Sequence, residues 1–254
     1  MGSSMADGPG EKRPALSLVV LCYRSGDRAR DFVRKTLAIL EEGGVEDFEL
    51  ILVGNYVEGT DDPTPEVVRS LAQSDPRIRC RAQPKRGWMG WDMRSGLELA
   101  RGEVLGVIDG DGQVPVSDVP KLYRLLTQEG YDLTKSFRIT RGDGLKRRIL
   151  SGVYNGLFHV LFPGTLARDV NAKPKLLARS AYEKLDLRSN GWFIDAEIMI
   201  QARRHGFRIG ELPTGFLGLT GRRSFVRVGA VLEFVWNLFC YRILEFRQPR
   251  GGTR

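Results

Sequence analysis

Short apolar runs alternate with amphipathic segments through the N-terminal half of the chain. The runs have the length of buried strands and are LSLVVLCY (16–23), FELILVG (48–54), RIRCRAQ (77–83) and EVLGVID (103–109). The segments between them place apolar residues three and four positions apart, as helices do, over 27–42, 65–73 and 88–102. Strands that alternate with helices predict an α/β fold with a mainly parallel central sheet and flanking helices.

The second half of the chain continues this alternation less regularly. Helical spacing recurs over 116–128, 146–162 and 192–206, and strand-like runs cover 131–137 and 207–216. The stretch over 163–185 follows neither period, so we interpret it as an irregular connection.

These patterns predict one domain with short appendages. We expect the domain over 16–227, an amphipathic helix over 228–247, and disordered ends over 1–15 and 248–254. The N-terminus lacks the apolar middle of a signal peptide, and no apolar run reaches the roughly 18 to 20 residues of a membrane span. Three widely separated cysteines predict neither a disulfide framework nor a zinc site, which indicates a reducing compartment.

Charge is distributed unevenly along the chain. From residue 131 onward there are 22 Lys and Arg residues against 10 Asp and Glu, whereas acidic residues outnumber basic ones before that point. A basic half predicts an anionic ligand such as a nucleotide, a lipid phosphate or a membrane surface, the alternative being scattered solubilising charge. We expect no nucleic-acid partner, because the basic residues are dispersed and form no nucleic-acid-binding motif.

Polar side chains directly follow the fourth apolar run, in VIDGDGQ. Asp109, Asp111 and Gln113 alternate there with Gly110 and Gly112, at the carboxyl end of a predicted parallel strand, where α/β sheets bind ligands. The glycines let the loop bend, so that both carboxylates reach one cation. Mg²⁺ or Mn²⁺ on such oxygen ligands keeps room for substrate phosphates. The motif predicts a diphosphate held through a metal, with an ordinary Asp-Gly turn as the alternative.

Five segments in the family's order resemble glycosyltransferase family 2, and in particular its dolichyl- or polyprenyl-phosphate sugar transferase branch. They are LSLVVLCYRSGD, VIDGDGQVPVSDVPKLYRLL, FRITRGDGLKRRILSGVYNGLF, DVNAKPKLLAR and WFIDAEIMIQARRHGFRIGELP. The fourth is similar to a segment that the family usually writes D-x-x-x-G-F-[KR]-x-[FY]-x-R. Lys173 and Lys175 are expected either to contact phosphate or to be exposed.

The resemblance implies a GT-A fold and an inverting transfer of a sugar from a nucleoside-diphosphate sugar, with Mg²⁺ or Mn²⁺ as cofactor. The metal ligands carried over are Asp109, Asp111 and Gln113. The donor is expected to be a GDP- or UDP-sugar, and the acceptor a polyprenyl phosphate. The residues assigned to the donor and its diphosphate are Tyr23, Asp27, Asn55, Glu58, Asp92, Asp109 and Arg222.

The chain departs from the family pattern on the donor side. The carboxylate that usually follows the second strand is replaced at Gly54-Asn55, with Glu58, Asp61 or Asp62 as candidate substitutes. The first loop lacks its usual acid, with Asp27 nearest. The segment KRGWMGWD brings two tryptophans to a place where the family has glycines near the nucleotide, and plain core packing is the alternative reading.

The acceptor determines which residues the chemistry needs. A hydroxyl acceptor requires a general base, for which Asp195 and Glu197 are candidates, but residues two positions apart on a helix diverge by about 200°, so only one faces the site easily. Asp169 is carried over as a further catalytic candidate on the sugar or acceptor side. A phosphate acceptor is already a nucleophile and needs cations instead. The residues assigned to an acceptor phosphate are Arg138, Arg141, Arg147, Ser151 and Arg223.

The last predicted helix has a wide apolar face opposite a polar one. Such a helix could lie on a membrane, dock on a membrane subunit or form a homodimer, and the alternative is that it covers the domain. With a lipid acceptor we expect a cytoplasmic protein, peripheral at the cytoplasmic face of a membrane.

Two other enzymatic readings stay open at this point. A family 2 transferase can act on a hydroxyl of a glycan or small molecule. Sugar-1-phosphate nucleotidyltransferases have a related sheet, but they usually carry a glycine-rich loop after the first strand, and LCYRSGDRAR lacks those glycines.

Overall fold

The computed structural model describes residues 12–139, 145–165, 167–215 and 235–243, without the side chains of 145–151. In these residues seven strands form one sheet. They are β1 (Leu16–Leu21), β2 (Phe48–Val53), β3 (Ile78–Arg81), β4 (Val104–Asp109), β5 (Leu133–Arg138), β6 (Lys175–Ala178) and β7 (Ile209–Thr214). The strand order is β3-β2-β1-β4-β6-β5-β7, and every pairing is parallel except those that β6 makes with β4 and β5. This mixed, mainly parallel sheet confirms the predicted fold class.

Helices cover both faces of the sheet. They are α1 (Arg28–Glu42), α2 (Thr64–Ser74), α3 (Met89–Leu97), α4 (Asp118–Glu129), α5 (Leu145–Leu161), α6 (Arg179–Tyr182) and α7 (Ile194–Arg204), followed by a further helix over 235–243. No described helix has the length and hydropathy needed to cross a bilayer.

The apolar runs are continuous because their strands are buried on both sides. Along β1, Val19 and Leu21 contribute to the core under one layer of helices, and Leu18 and Val20 to the core under the other. All six residues of β1 and of β2 are buried. Side chains alternate between the faces of a strand, so a strand covered twice is apolar at most positions. The buried exceptions, Ser17 and Glu49, are hydrogen-bonded to each other.

The prediction of an irregular connection over 163–185 was wrong for 175–182. Residues 175–178 form β6, and α6 follows directly. This strand has only four residues and starts with a lysine, so it has no apolar periodicity of its own. Its structure comes from the hydrogen bonds to β4 and β5 on either side.

The antiparallel direction of β6 has a consequence for the site. Val107 near the end of β4 pairs with Lys175 at the start of β6. The segment that leads into β6 therefore lies at the same sheet edge as the carboxyl end of β4. This brings Lys173 to Asp109 at the end of β4.

Only 235–243 of the predicted C-terminal helix lies within the described residues, and this part is helical. Leu238 is completely buried in the core, and the Tyr241 ring packs on Phe193 with 4.8 Å between ring centroids. One side of this helix therefore covers the domain, as the alternative reading expected.

Candidate functional site

The loop after β4 is shaped by its two glycines. A side chain on Gly110 would come within 3.0 Å of the Leu21 carbonyl oxygen, and Gly112 has a φ of +74°. The backbone N–H of Gln113 donates a hydrogen bond of 3.0 Å to Oδ1 of Asp111, which closes the turn. The glycines thus let the loop bend tightly against the end of β1.

Asp111 borders a cleft of about 300 Å³ between this loop and α1. Arg28 and Lys35 of α1 line the cleft together with Gly112. The cleft gives the loop access to solvent on its α1 side and places two cations near it.

A row of charged side chains starts at Asp109, at the surface of the site, and continues into the protein interior. Its carboxylate oxygen Oδ2 lies 3.8 Å from Nζ of Lys173, and the Asp109 side chain is 38% exposed. Nζ of Lys173 also donates a hydrogen bond of 2.9 Å to Oδ2 of Asp195. The other oxygen of Asp195 accepts a hydrogen bond from Lys175. Lys173, Lys175 and Asp195 are all buried.

The pKa values in this cluster follow from burial and from the opposite charges. For Asp195, burial works against the charged form, but Lys173 and Lys175 outweigh it and lower the pKa of the carboxyl. For Lys173, burial is outweighed by Asp109 and Asp195, so its pKa is raised. Lys175 has only Asp195 to offset burial, and its pKa falls to about 7.

Asp195 and Glu197 point in different directions, as the helical geometry predicted. Asp195 faces Lys173, whereas Glu197 accepts hydrogen bonds of 3.0 and 2.9 Å from the backbone N–H groups of Arg188 and Ser189, and a further one from the Tyr241 hydroxyl. Glu197 is fully buried and fixes the loop before α7 to the helix over 235–243. Its role as a catalytic candidate stays a prediction that this geometry does not support.

Arg138 and Asp169 form a pair at the end of β5. The Arg138 guanidinium donates two hydrogen bonds to the Asp169 carboxylate, of 2.7 and 3.0 Å. Beside them, Nζ of the fully buried Lys135 donates to the backbone oxygen of Asp169 at 2.6 Å and to Glu211 at 3.2 Å. Arg138, which was predicted to bind the acceptor phosphate, is therefore paired with Asp169, another acceptor-side candidate.

Asn55 and Asp92 also meet, on the donor side. The Asn55 amide donates to Asp92 and to Ser95, each at 3.0 Å, and its oxygen accepts the backbone N–H of Gln83. Asp92 also pairs with Lys85, whose Nζ lies 4.0 Å from the centre of the Tyr23 ring. Burial raises the pKa of Asp92, and Lys85 opposes that rise. The Asn55 side-chain amide is therefore occupied by hydrogen bonds within the protein.

The remaining donor-side candidates are not drawn into this cluster. The Asp27 side chain is 87% exposed and pairs with Arg30, and Glu58 lies on an exposed turn. Arg141, Arg222 and Arg223 lie outside the described residues, and Arg147 and Ser151 lie in α5 where side chains are not described.

The tryptophan-bearing segment after β3 joins the two halves of the site. The backbone N–H of Trp88 donates to Asn190 at 2.7 Å, and that of Gly90 donates to Gly191 at 2.9 Å. Trp88 is 49% exposed and stacks on Trp192 with 6.4 Å between ring centroids. Trp88 is therefore not a core residue, contrary to the alternative reading of this segment.

The sequence analysis did not predict that Lys173 and Lys175 are buried. Lys173 and Lys175 were expected to contact phosphate or to be exposed, but both are buried against Asp195. The available signal was Lys173 itself, which stands where the similar family segment has a glycine.

The described residues fit a divalent cation only in part. Asp109 and Asp111 supply the hard oxygen ligands that Mg²⁺ and Mn²⁺ prefer. Within the ranges that the structure describes, however, no group of three His, Cys, Asp or Glu side chains could hold a metal ion. A cation bound here would need ligands from the substrate, which is the usual arrangement when Mg²⁺ binds together with phosphates.

A family model and the sequence relatives indicate the same protein family. A model of glycosyl transferase family 2 matches residues 17–185. Glycosyltransferase AglD from Haloferax volcanii is 32% identical over 220 residues, which are 81% of this chain and 35% of AglD. Dolichyl-phosphate beta-glucosyltransferase ALG5A from Trichomonas vaginalis is 27% identical over 239 residues, which are 88% of this chain and 71% of ALG5A. The chain thus spans about a third of AglD and most of ALG5A.

Solved structures agree with the fold. Glucosyl-3-phosphoglycerate synthase from Mycobacterium tuberculosis in complex with UDP superposes with a TM-score of 0.69 at 19% identity, over 90% of this chain and 80% of that one. The same enzyme with Mn²⁺, UDP and glucosyl-3-phosphoglycerate gives a TM-score of 0.67 at 20% identity, over 94% and 86% of the two chains.

Proposed function

The chain belongs to glycosyl transferase family 2, and from this premise we propose that it transfers a sugar, with inversion, from a nucleoside-diphosphate sugar to a polyprenyl phosphate. Asp109 and Asp111 hold Mg²⁺ or Mn²⁺ in this proposal. The chemistry that the metal supplies when bound is stabilisation of the leaving diphosphate.

One observation carries the choice of acceptor. Asp195 is the candidate base linked to Asp109 through Lys173, and both of its oxygens accept hydrogen bonds from lysine side chains. A carboxylate held in this way is poorly placed to take a proton from a hydroxyl. A phosphate acceptor is already an oxyanion and needs no proton removed, so it suits a site whose acceptor-side carboxylate is occupied.

Each residue then has a limited task. Asp109 and Asp111 hold the donor diphosphate through the cation, and the cluster of Lys173, Lys175 and Asp195 fixes the floor of the site. Arg138 is the member of the predicted acceptor set whose side chain the structure describes, and an incoming phosphate would compete with Asp169 for its guanidinium.

The curated relatives support the same acceptor class. ALG5A is a dolichyl-phosphate beta-glucosyltransferase, and this chain aligns with most of it. We therefore propose glucose as the first sugar to test. The Mycobacterium tuberculosis structures hold UDP, so UDP-glucose is the first donor to test, with GDP-sugars next.

A lipid acceptor requires the enzyme to approach a bilayer, and the described surface offers an apolar stripe. Trp236, Phe239 and Ile243 are 69%, 44% and 53% exposed, and their spacing places them on one face of the helix over 235–243. Arg242 of the same helix lies over the Phe162 ring at the end of α5. We propose that this stripe contacts the membrane surface.

The test compares two acceptors that differ only in the phosphate. Purified protein is incubated with Mn²⁺ and radiolabelled UDP-glucose, and then with either dolichyl phosphate or dolichol in detergent. We expect labelled lipid only from dolichyl phosphate, with the anomeric configuration inverted relative to the donor, and no product in EDTA. Glucose on dolichol would contradict the proposed acceptor, and transfer from no nucleotide-sugar in a UDP, GDP, CDP and dTDP panel would contradict the activity.

A further inference from the structure

Lys173 occupies an unusual position for a lysine. It is 4% exposed, and its ammonium group lies between a predicted metal ligand, Asp109, and a buried carboxylate, Asp195. Nζ of Lys173 also donates to the Met89 sulfur at 3.2 Å. A buried lysine is costly unless opposite charges compensate for the lost hydration. Here Asp109 is one of the two compensating charges.

The Asp109 carboxylate cannot neutralise both the Lys173 ammonium and a divalent cation equally well. A divalent ion on Asp109 would lie within a few ångströms of the Lys173 ammonium, and like charges at such distances repel strongly in a partly buried site. In the described part of the chain, no third acidic or histidine side chain joins Asp109 and Asp111 to offset that repulsion. The described residues by themselves would therefore hold a divalent cation only weakly.

We propose that Lys173 is a built-in counter-ion of Asp109, which makes binding of the divalent cation conditional on the donor diphosphate. A diphosphate brings the missing oxygen ligands and enough negative charge to compensate for both the metal and the lysine. Metal and nucleotide then bind cooperatively, and by linkage each raises the affinity of the other by the same factor. The inference rests on the proposed metal and donor site, and concerns Lys173 as a positioning residue within it.

The test measures Mn²⁺ binding directly, without turnover. The electron paramagnetic resonance signal of free Mn²⁺ is titrated with full-length protein, in the absence and presence of saturating UDP. For the wild type we expect weak binding that UDP tightens. For Lys173→Gln, whose amide can still donate to Asp195, we expect Mn²⁺ binding without UDP to tighten about tenfold or more, and the gain from UDP to shrink accordingly.

Two variants serve as controls. Lys173→Arg keeps the charge and should leave both Mn²⁺ affinities near the wild-type values. Lys121→Met removes a lysine that pairs with Asp118 on α4 and is 54% exposed, so it should change neither affinity. Thermal unfolding checks that each variant is folded, and Lys173→Met replaces the glutamine variant if that one fails.

The outcomes separate the two proposals. Unchanged or weaker Mn²⁺ binding by Lys173→Gln without UDP overturns the counter-ion role, even if Asp109→Asn removes Mn²⁺ binding and so supports the metal site. If Asp109→Asn binds Mn²⁺ as the wild type does, the cation is not at Asp109, and both the metal site of the proposed function and this inference fail.

Discussion

Single residues in this site are defined more by their partners than by their type. Asp195 and Glu197 are neighbours on one helix and both are fully buried, yet one faces two lysines and the other faces two backbone N–H groups. Asn55, which replaces a carboxylate expected in the family, uses its amide to orient Asp92. Asp109, the last residue of β4, and Asp111 in the following loop differ from these because they lie at the sheet edge and are partly exposed.

At this scale we predict that Asp111→Asn lowers transferase activity by about 100-fold or more, because an amide is a weaker ligand for a hard divalent cation. Glu46→Gln is the control, since Glu46 is exposed in the loop before β2, at the opposite sheet edge. Both variants should unfold at the wild-type temperature. Steady-state kinetics over a Mn²⁺ titration make the measurement, and full turnover by Asp111→Asn at ordinary Mn²⁺ would contradict the metal assignment.

At the scale of elements, two short connections hold the site together. Backbone hydrogen bonds from Trp88 and Gly90 join the segment after β3 to the segment before α7. A side chain on Gly90 would lie 2.3 Å from the Ser189 carbonyl oxygen, so the two backbones can approach only because this residue is glycine. The contact links the donor side of the sheet to the helix that carries Asp195.

We therefore predict that Gly90→Ala destabilises the protein by about 1–3 kcal/mol, because the added methyl group forces the two segments apart. Gly152→Ala is the matched control: Gly152 lies in α5, where an added Cβ would meet nothing within 4 Å. That variant should be as stable as the wild type or gain up to about 1 kcal/mol from helix propensity. Urea denaturation followed by fluorescence compares the three proteins. Equal stability of the two variants would contradict the close contact of these two segments at Gly90.

At the scale of the whole molecule, the described surface is of two kinds. The loops at the carboxyl edge carry the charged groups of the site, whereas the helix over 235–243 buries Leu238 and presents Trp236, Phe239 and Ile243 outward. Exposed apolar stripes of this kind mark interaction surfaces. The proposed acceptor gives this stripe a membrane as its partner.

At this scale we predict that Trp236→Ala combined with Phe239→Ala weakens binding to phosphatidylserine-containing vesicles at least about tenfold, because two aromatic side chains no longer enter the interface. UDP binding should be unchanged. Val57→Ala, which truncates another exposed apolar side chain, is the control and should bind vesicles normally. Sedimentation with vesicles measures the effect, and wild-type sedimentation of the double variant would assign the stripe to another partner.

The sequence by itself determined most of the fold and the sheet-edge position of Asp109 and Asp111. Doubly buried strands need largely continuous apolar runs, and helices between them need a 3.6-residue period, so β1, β2, β4 and their helices could be read directly. The location of Asp109 and Asp111 at the sheet edge followed from strand direction alone. The family match confirmed the family that the five segments resemble.

Tertiary structure alone decided the other half. The strand β6 exists because β4 and β5 offer it hydrogen bonds on both sides, which no local pattern encodes. Its reversed direction brings Lys173 to Asp109, residues that are far apart in sequence. Periodicity describes which face of an element is apolar, but the charge partner of a buried lysine depends on which elements meet. That information arises only when the chain is folded.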